Sequence, residues 1–126
     1  MVMRTPLKVA RQLGSARTGT DHFIRQRVTG LANAALGVYF VWLIASLIGA
    51  DLAVVKKTLA NPLVALALLA LVISGAIHMR IGMQVIIEDY VHDEANKIGL
   101  LLLNTFFSFA VALASAFAIL KLSFGA

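Results

Sequence analysis

The sequence predicts an all-α membrane protein of three transmembrane helices, and three observations predict it. Apolar residues make up 60% of the 126 and charged residues only 13%, where soluble domains carry roughly 25% charged residues. A soluble domain this small has too little interior to hide that much apolar surface, whereas a bilayer removes the need. The chain also contains three long stretches without charge. Its basic residues, finally, are bunched: of eleven Lys and Arg, six lie before residue 28, namely Arg4, Lys8, Arg11, Arg17, Arg25 and Arg27.

The first uncharged stretch covers residues 28–50, with the phenol of Tyr39 as its only ionisable group. It is long enough to cross a hydrocarbon core of about 30 Å, which takes about 20 helical residues. The second runs uncharged over 58–77 and opens on Asn61-Pro62, an N-cap followed by a proline in the first turn, where its missing N–H costs nothing. The third runs over 98–120. Each must be helical, because lipid offers backbone groups no partners. The domain plan is a basic cytoplasmic or interfacial arm over 1–27 and a transmembrane domain over 28–126, with spans at about 28–50, 62–90 and 98–120.

Direction follows from the basic residues. With the N-terminus in the cytoplasm, the inner side holds the six arm residues plus Arg80 and Lys97, and the outer side holds Lys56, Lys57 and Lys121. The positive-inside rule then predicts a cytoplasmic N-terminus and a C-terminus on the outer side. The arm is Arg-rich and free of acid until Asp21. That composition fits a short interfacial amphipathic helix, and it also resembles a mitochondrial targeting peptide. A basic arm beside apolar spans points to anionic lipid, and it lacks the interleaved aromatics of a nucleic-acid binder. The absence of cysteine excludes disulfides, thiolate metal sites and a cysteine nucleophile.

The second span carries the residues that lipid should not tolerate. Apolar residues continue beyond His78 through Ile81, Met83, Val85, Ile86 and Ile87. A helix from Pro62 to Tyr90 would be about 43 Å long, with His78 about 24 Å from its outer end and inside the hydrocarbon. An ionisable residue at that depth is a functional candidate. Ser74, Gly75, His78, Gly82 and Asp89 fall on one stripe of this helix. Small residues around a histidine leave room for a neighbouring helix, the usual role of glycine in membranes, or for a flat cofactor such as haem, whose iron takes an axial imidazole. Composition by itself favours helix packing. Arg80, on the opposite face, is read as a snorkelling anchor. Asp89 and Tyr90 lie about 16 Å nearer the cytoplasm than His78, where tyrosine is commonly an interfacial belt residue. Glu88, His92, Asp93 and Glu94 are read as solvated loop residues. His22, Arg25, Gln26 and Arg27 crowd the entrance to the first span, as anchors or as a site for anionic groups.

Two motifs carry a family resemblance. One is His78-Met-Arg-Ile-Gly82-Met-Gln-Val-Ile-Ile-Glu-Asp89-Tyr90, of the form H-x3-G-x6-D-Y; the other is His22-Phe-Ile-Arg-Gln26-Arg27-Val-Thr29. With the three spans, they resemble the hydrophobic membrane anchor subunits of succinate dehydrogenase, of the smaller D type, over nearly the whole chain. The resemblance implies that His78 is one axial ligand of a haem b shared with a second anchor subunit, the cytochrome b556 large anchor. It implies that Tyr90 and Asp89 border the ubiquinone site, with Arg27 near the quinone or the haem propionates, and that His22 and Gly82 lie in the haem pocket. Implied partners are that large anchor, an iron–sulfur subunit and a flavoprotein subunit, in a bacterial inner membrane, with the mitochondrial inner membrane as the alternative. The chain has no dinucleotide fingerprint and no cluster-binding cysteines. It would therefore be non-catalytic alone, an anchor within an oxidoreductase. The alternatives are an anchor of a fumarate reductase or other cytochrome b, a small transporter, or a purely structural membrane protein.

Overall fold

A computed structural model describes residues 6–7 and 19–125. Most of the basic arm, and the interfacial helix expected there, lies outside the described residues. Four helices follow in order: α1 (Gly19–Ser46), α2 (Leu52–Leu59), α3 (Pro62–Tyr90) and α4 (Glu94–Ser123). Three of them, α1, α3 and α4, are long and apolar enough to cross a membrane. At about 1.5 Å per residue, each exceeds the roughly 30 Å of hydrocarbon by about 12–15 Å. Their ends therefore extend into the headgroup zone.

Local sequence explains where the helices begin and end. The last turn of α1 tightens through bonds from Leu47 N to Ile44 O and from Ala50 N to Leu47 O, both 3.1 Å. Gly49 then takes a positive φ of 77°, a left-handed conformation that an L side chain resists. Asn61 Oδ1 accepts a 2.9 Å bond from Leu63 N and Pro62 follows it, so α3 starts where the Asn-Pro pair predicts. Asp93 caps α4 in the same way, accepting from Asn96 N at 2.9 Å. Only residues 91–93 separate α3 from α4. This connection is tied by Lys97 Nζ, which donates to the Glu88 carbonyl at 3.2 Å and so neutralises part of the negative end of α3.

Among the described residues, α3 is the central helix. It packs against α1 on one side and α4 on the other, while α1 and α4 do not pack on each other, and the short α2 touches α3 and α4. Very little is buried. Among the described residues, those buried are Leu43, Ala65, Ile81 and Ile87 together with the polar Asn104 and Ser108. Trp42, Phe106 and Phe117 are 63–70% exposed. Helices that are apolar all round and unburied need lipid or a partner around them. Asn104 Nδ2 donates to the Arg80 carbonyl at 2.9 Å, a polar tie between α4 and α3 of the kind that holds membrane helices together.

Candidate functional site

The site is built where α1 crosses α3. His78, half-buried near the middle of α3, lies against the stretch Gln26–Gly30 of α1. Its Nδ1 stands 3.2 Å from the Gln26 backbone carbonyl and 3.2 Å from Thr29 Oγ1. The Thr29 hydroxyl has one proton, and its shortest contact is the Arg25 carbonyl at 2.7 Å. Donated there, that proton leaves the Thr29 oxygen as an acceptor towards His78. A backbone carbonyl only accepts. Both neighbours therefore require the proton of the imidazole to sit on Nδ1. The lone pair is left on Nε2, which faces the Gln26 side-chain amide at a long 3.4 Å.

Two glycines permit this contact. A Cβ on Gly30 would meet His78 Cε1 at 3.3 Å, and one on Gly82 would meet Gln26 Nε2 at 3.1 Å. Gly30 thus lets the ring lie against the backbone of α1, and Gly82 makes room for the Gln26 amide. Gly75, on the same stripe, has nothing within 4 Å of its Cβ position, so that part of the face is open. Ser74 Oγ adds a 3.2 Å bond to the Thr29 carbonyl. One buried atom at this crossing has no partner: the side-chain carbonyl Oε1 of Gln26.

The other sequence candidates stand apart from His78. Asp89 and Tyr90 are the last two residues of α3, both exposed, Tyr90 by 78%. Their neighbour Glu88 is engaged instead, accepting from Gln84 Nε2 at 2.8 Å. Arg27 points outward, its guanidinium 4.5 Å above the ring of Phe23. His22 turns to a different place, a cleft between α1 and α4 that it lines with Arg25 and Arg80. Among the described residues, no three His, Cys, Asp or Glu cluster tightly enough to hold a metal ion by themselves. A metal at this site would have to arrive in a prosthetic group or be shared with another chain.

The sequence places Gln26 among the polar residues at the entrance to the first span and Thr29 only within a motif. Their role as the partners that orient His78 depends on the crossing of two helices about fifty residues apart. Asn104 and Ser108 were passed over, although two polar residues four apart in an apolar span mark a packing face.

Residues 1–118 match the family model of the succinate dehydrogenase/fumarate reductase transmembrane subunit. The succinate dehydrogenase hydrophobic membrane anchor subunit of Paracoccus denitrificans is 30% identical over 122 residues, covering 97% of this chain and 94% of that one. The subunits of the same name from Rickettsia bellii and Rickettsia conorii are 30% and 34% identical, over 70% and 65% of this chain and 70% and 66% of theirs. No solved structure matches the chain. The chain belongs to the succinate dehydrogenase/fumarate reductase transmembrane subunit family, among its hydrophobic membrane anchor subunits.

Proposed function

We propose that this anchor subunit supplies one axial ligand, His78, to a haem b held jointly with a second anchor chain, and that the inner end of α3 forms part of a ubiquinone-reduction site. The observation that carries the reading is the fixed imidazole. Ligation needs a neutral ring with an unprotonated nitrogen, and metal-bound histidines donate their other N–H to a carbonyl or carboxylate. The Gln26 carbonyl is such an acceptor, 3.2 Å from Nδ1. The Gln26 amide covers Nε2 through a long contact, and its own Oε1 has no partner, so turning it aside breaks little. The residues present therefore fit a haem ligand. The open face at Gly75 leaves space beside the ring, and the room at Gly82, now filled by the Gln26 amide, would open when that amide turns aside. Bound there, haem b would supply a one-electron redox centre within the membrane.

The remaining roles belong to this chain's own side chains. The Tyr90 hydroxyl donates a hydrogen bond to a quinone oxygen, and the Asp89 carboxylate beside it passes protons from the aqueous face. Arg27 offers a guanidinium to the quinone or to haem propionates, with His22 as a more distant contributor. One chain with so little buried surface cannot enclose a haem, so the subunit works within a complex. The cytochrome b556 large anchor would bring the second ligand, and the iron–sulfur and flavoprotein subunits would dock on the cytoplasmic side, in a bacterial inner membrane. The N-terminus lies on that side, as the basic residues favour.

The test is the reduced-minus-oxidised optical spectrum of the purified complex. Wild type is expected to show a b-type haem, and His78→Ala to lose or strongly perturb it while the complex still assembles. An unchanged spectrum in the variant would remove His78 from the ligand set.

A further inference from the structure

The helices α1 and α4 both pack on α3 but not on each other. Between them lies an open cleft of about 740 Å³, floored by α3, within the roughly 300–1,000 Å³ of sites that hold small molecules. It is distinct from the His78 site but meets it at Thr29, which lines the cleft and contacts His78. Its floor follows Ile73, Ile77, Arg80 and Gln84, a line centred about 130° around the helix from His78.

The chemistry of the cleft changes along its length. Near the inner ends of the helices it carries His22 and Arg25 of α1 with Arg80 and Gln84 of α3; deeper, it is lined by Ile73, Ile77 and Phe109. By helix rise, Arg80 stands about 15 Å from the Tyr90 end of α3 and Arg25 about 9 Å from the start of α1. Counted from the outer ends of their helices, Arg80 lies about 27 Å from Pro62 and Arg25 about 31 Å from Ser46. With those ends at the outer edge of about 30 Å of hydrocarbon, both backbones lie near its inner edge, and their long side chains reach the headgroups by snorkelling. No Asp or Glu among the described residues lines the cleft. Two arginines therefore converge on one groove at phosphate depth, with apolar walls running below them towards the membrane centre.

We propose that this cleft binds an anionic diacyl phospholipid, its phosphate held by Arg25 and Arg80 and an acyl chain lying along Ile73, Ile77 and Phe109. Arginine is suited to phosphate because its planar fork donates in pairs. A partner helix in the same place would have to bring its own acid groups to the depth of Arg80. A phospholipid carries its negative charge at that level already. A quinone matches the apolar walls but has no charge to answer the arginines. The basic end is thus a selectivity element for lipid, on a face of α3 separate from the proposed haem ligand.

The test uses the whole complex in nanodiscs made of equal parts phosphatidylglycerol and phosphatidylcholine, with retained lipid identified by native mass spectrometry. Wild type is expected to retain phosphatidylglycerol over phosphatidylcholine by roughly five- to thirtyfold, given an attraction of about fivefold for each of the two basic residues. The Arg25→Gln/Arg80→Gln double variant should bring that ratio close to one, and Arg25→Lys/Arg80→Lys should keep most of it. In the wild-type complex, a photoactivatable phosphatidylglycerol should label peptides containing Ile73, Ile77 and Phe109, which tests the location whether or not the variants assemble. No preference in wild type, an unchanged preference in the neutral double variant, or label confined to other faces would overturn the proposal. So would displacement of the phosphatidylglycerol by added ubiquinone, or crosslinks joining these residues to a partner helix.

Discussion

The middle of α3 and its inner end carry the two halves of the proposed chemistry, and they are built in opposite ways. At His78 the chain supplies its own surroundings: a carbonyl and a hydroxyl at 3.2 Å orient Nδ1, and Gly30 brings the α1 backbone against the ring. At Asp89 and Tyr90 the chain supplies almost nothing, since both side chains are exposed at the end of the helix. The difference follows from solvent. A histidine in hydrocarbon has no water to satisfy its N–H, so the protein must provide a partner. A tyrosine and an aspartate at the membrane edge are hydrated until something docks. In the proposed arrangement, one half is therefore preorganised within a single subunit, and the other would become a site only when neighbouring subunits close over it.

Substitutions at the two places should separate these halves. The largest effect is expected from Gly30→Val. A Cβ there already meets His78 Cε1 at 3.3 Å, and overpacking of this kind costs about 1–3 kcal/mol. Haem content measured by pyridine haemochrome should fall, while the quinone KM of the complexes that keep haem should stay near wild type. A KM that rises in parallel would mean that the two regions are not independent. A smaller effect is expected from Tyr90→Phe. Loss of one neutral hydrogen bond is worth about 0.5–1.5 kcal/mol, so kcat/KM for quinone should drop by roughly two- to twelvefold with the haem spectrum unchanged. Wild-type quinone kinetics in an assembled Tyr90→Phe complex would remove the phenol from the site.

The same contrast explains what could be read from the sequence. The three spans follow from charge-free length, because the hydrocarbon sets that length. Asn61-Pro62 marks the start of α3 because capping is local. His78 stands out by depth alone. By contrast, the helical course of residues 19–27, continuous with the first span, is hidden by their charges. Helix α2 is hidden too. It is only eight residues long and carries adjacent valines and lysines, Val54 to Lys57, and it is held by contacts with α3 and α4. The partners of His78 depend on a helix crossing that no local pattern encodes. Nor does local pattern reveal that Arg80, read as an anchor on the far face, shares a cleft with His22 and Arg25. That grouping exists only because α1 and α4 stand apart on either side of α3.

The proposed haem site depends above all on His78 as a ligand held ready by α1. The most direct measurement is chemical rescue: the His78→Gly complex, reconstituted with haemin, is examined optically with and without added imidazole. The b-type spectrum is expected to be lost or altered without imidazole and restored when imidazole occupies the space of the missing side chain. A wild-type spectrum in the variant before any imidazole is added would contradict the proposed ligation.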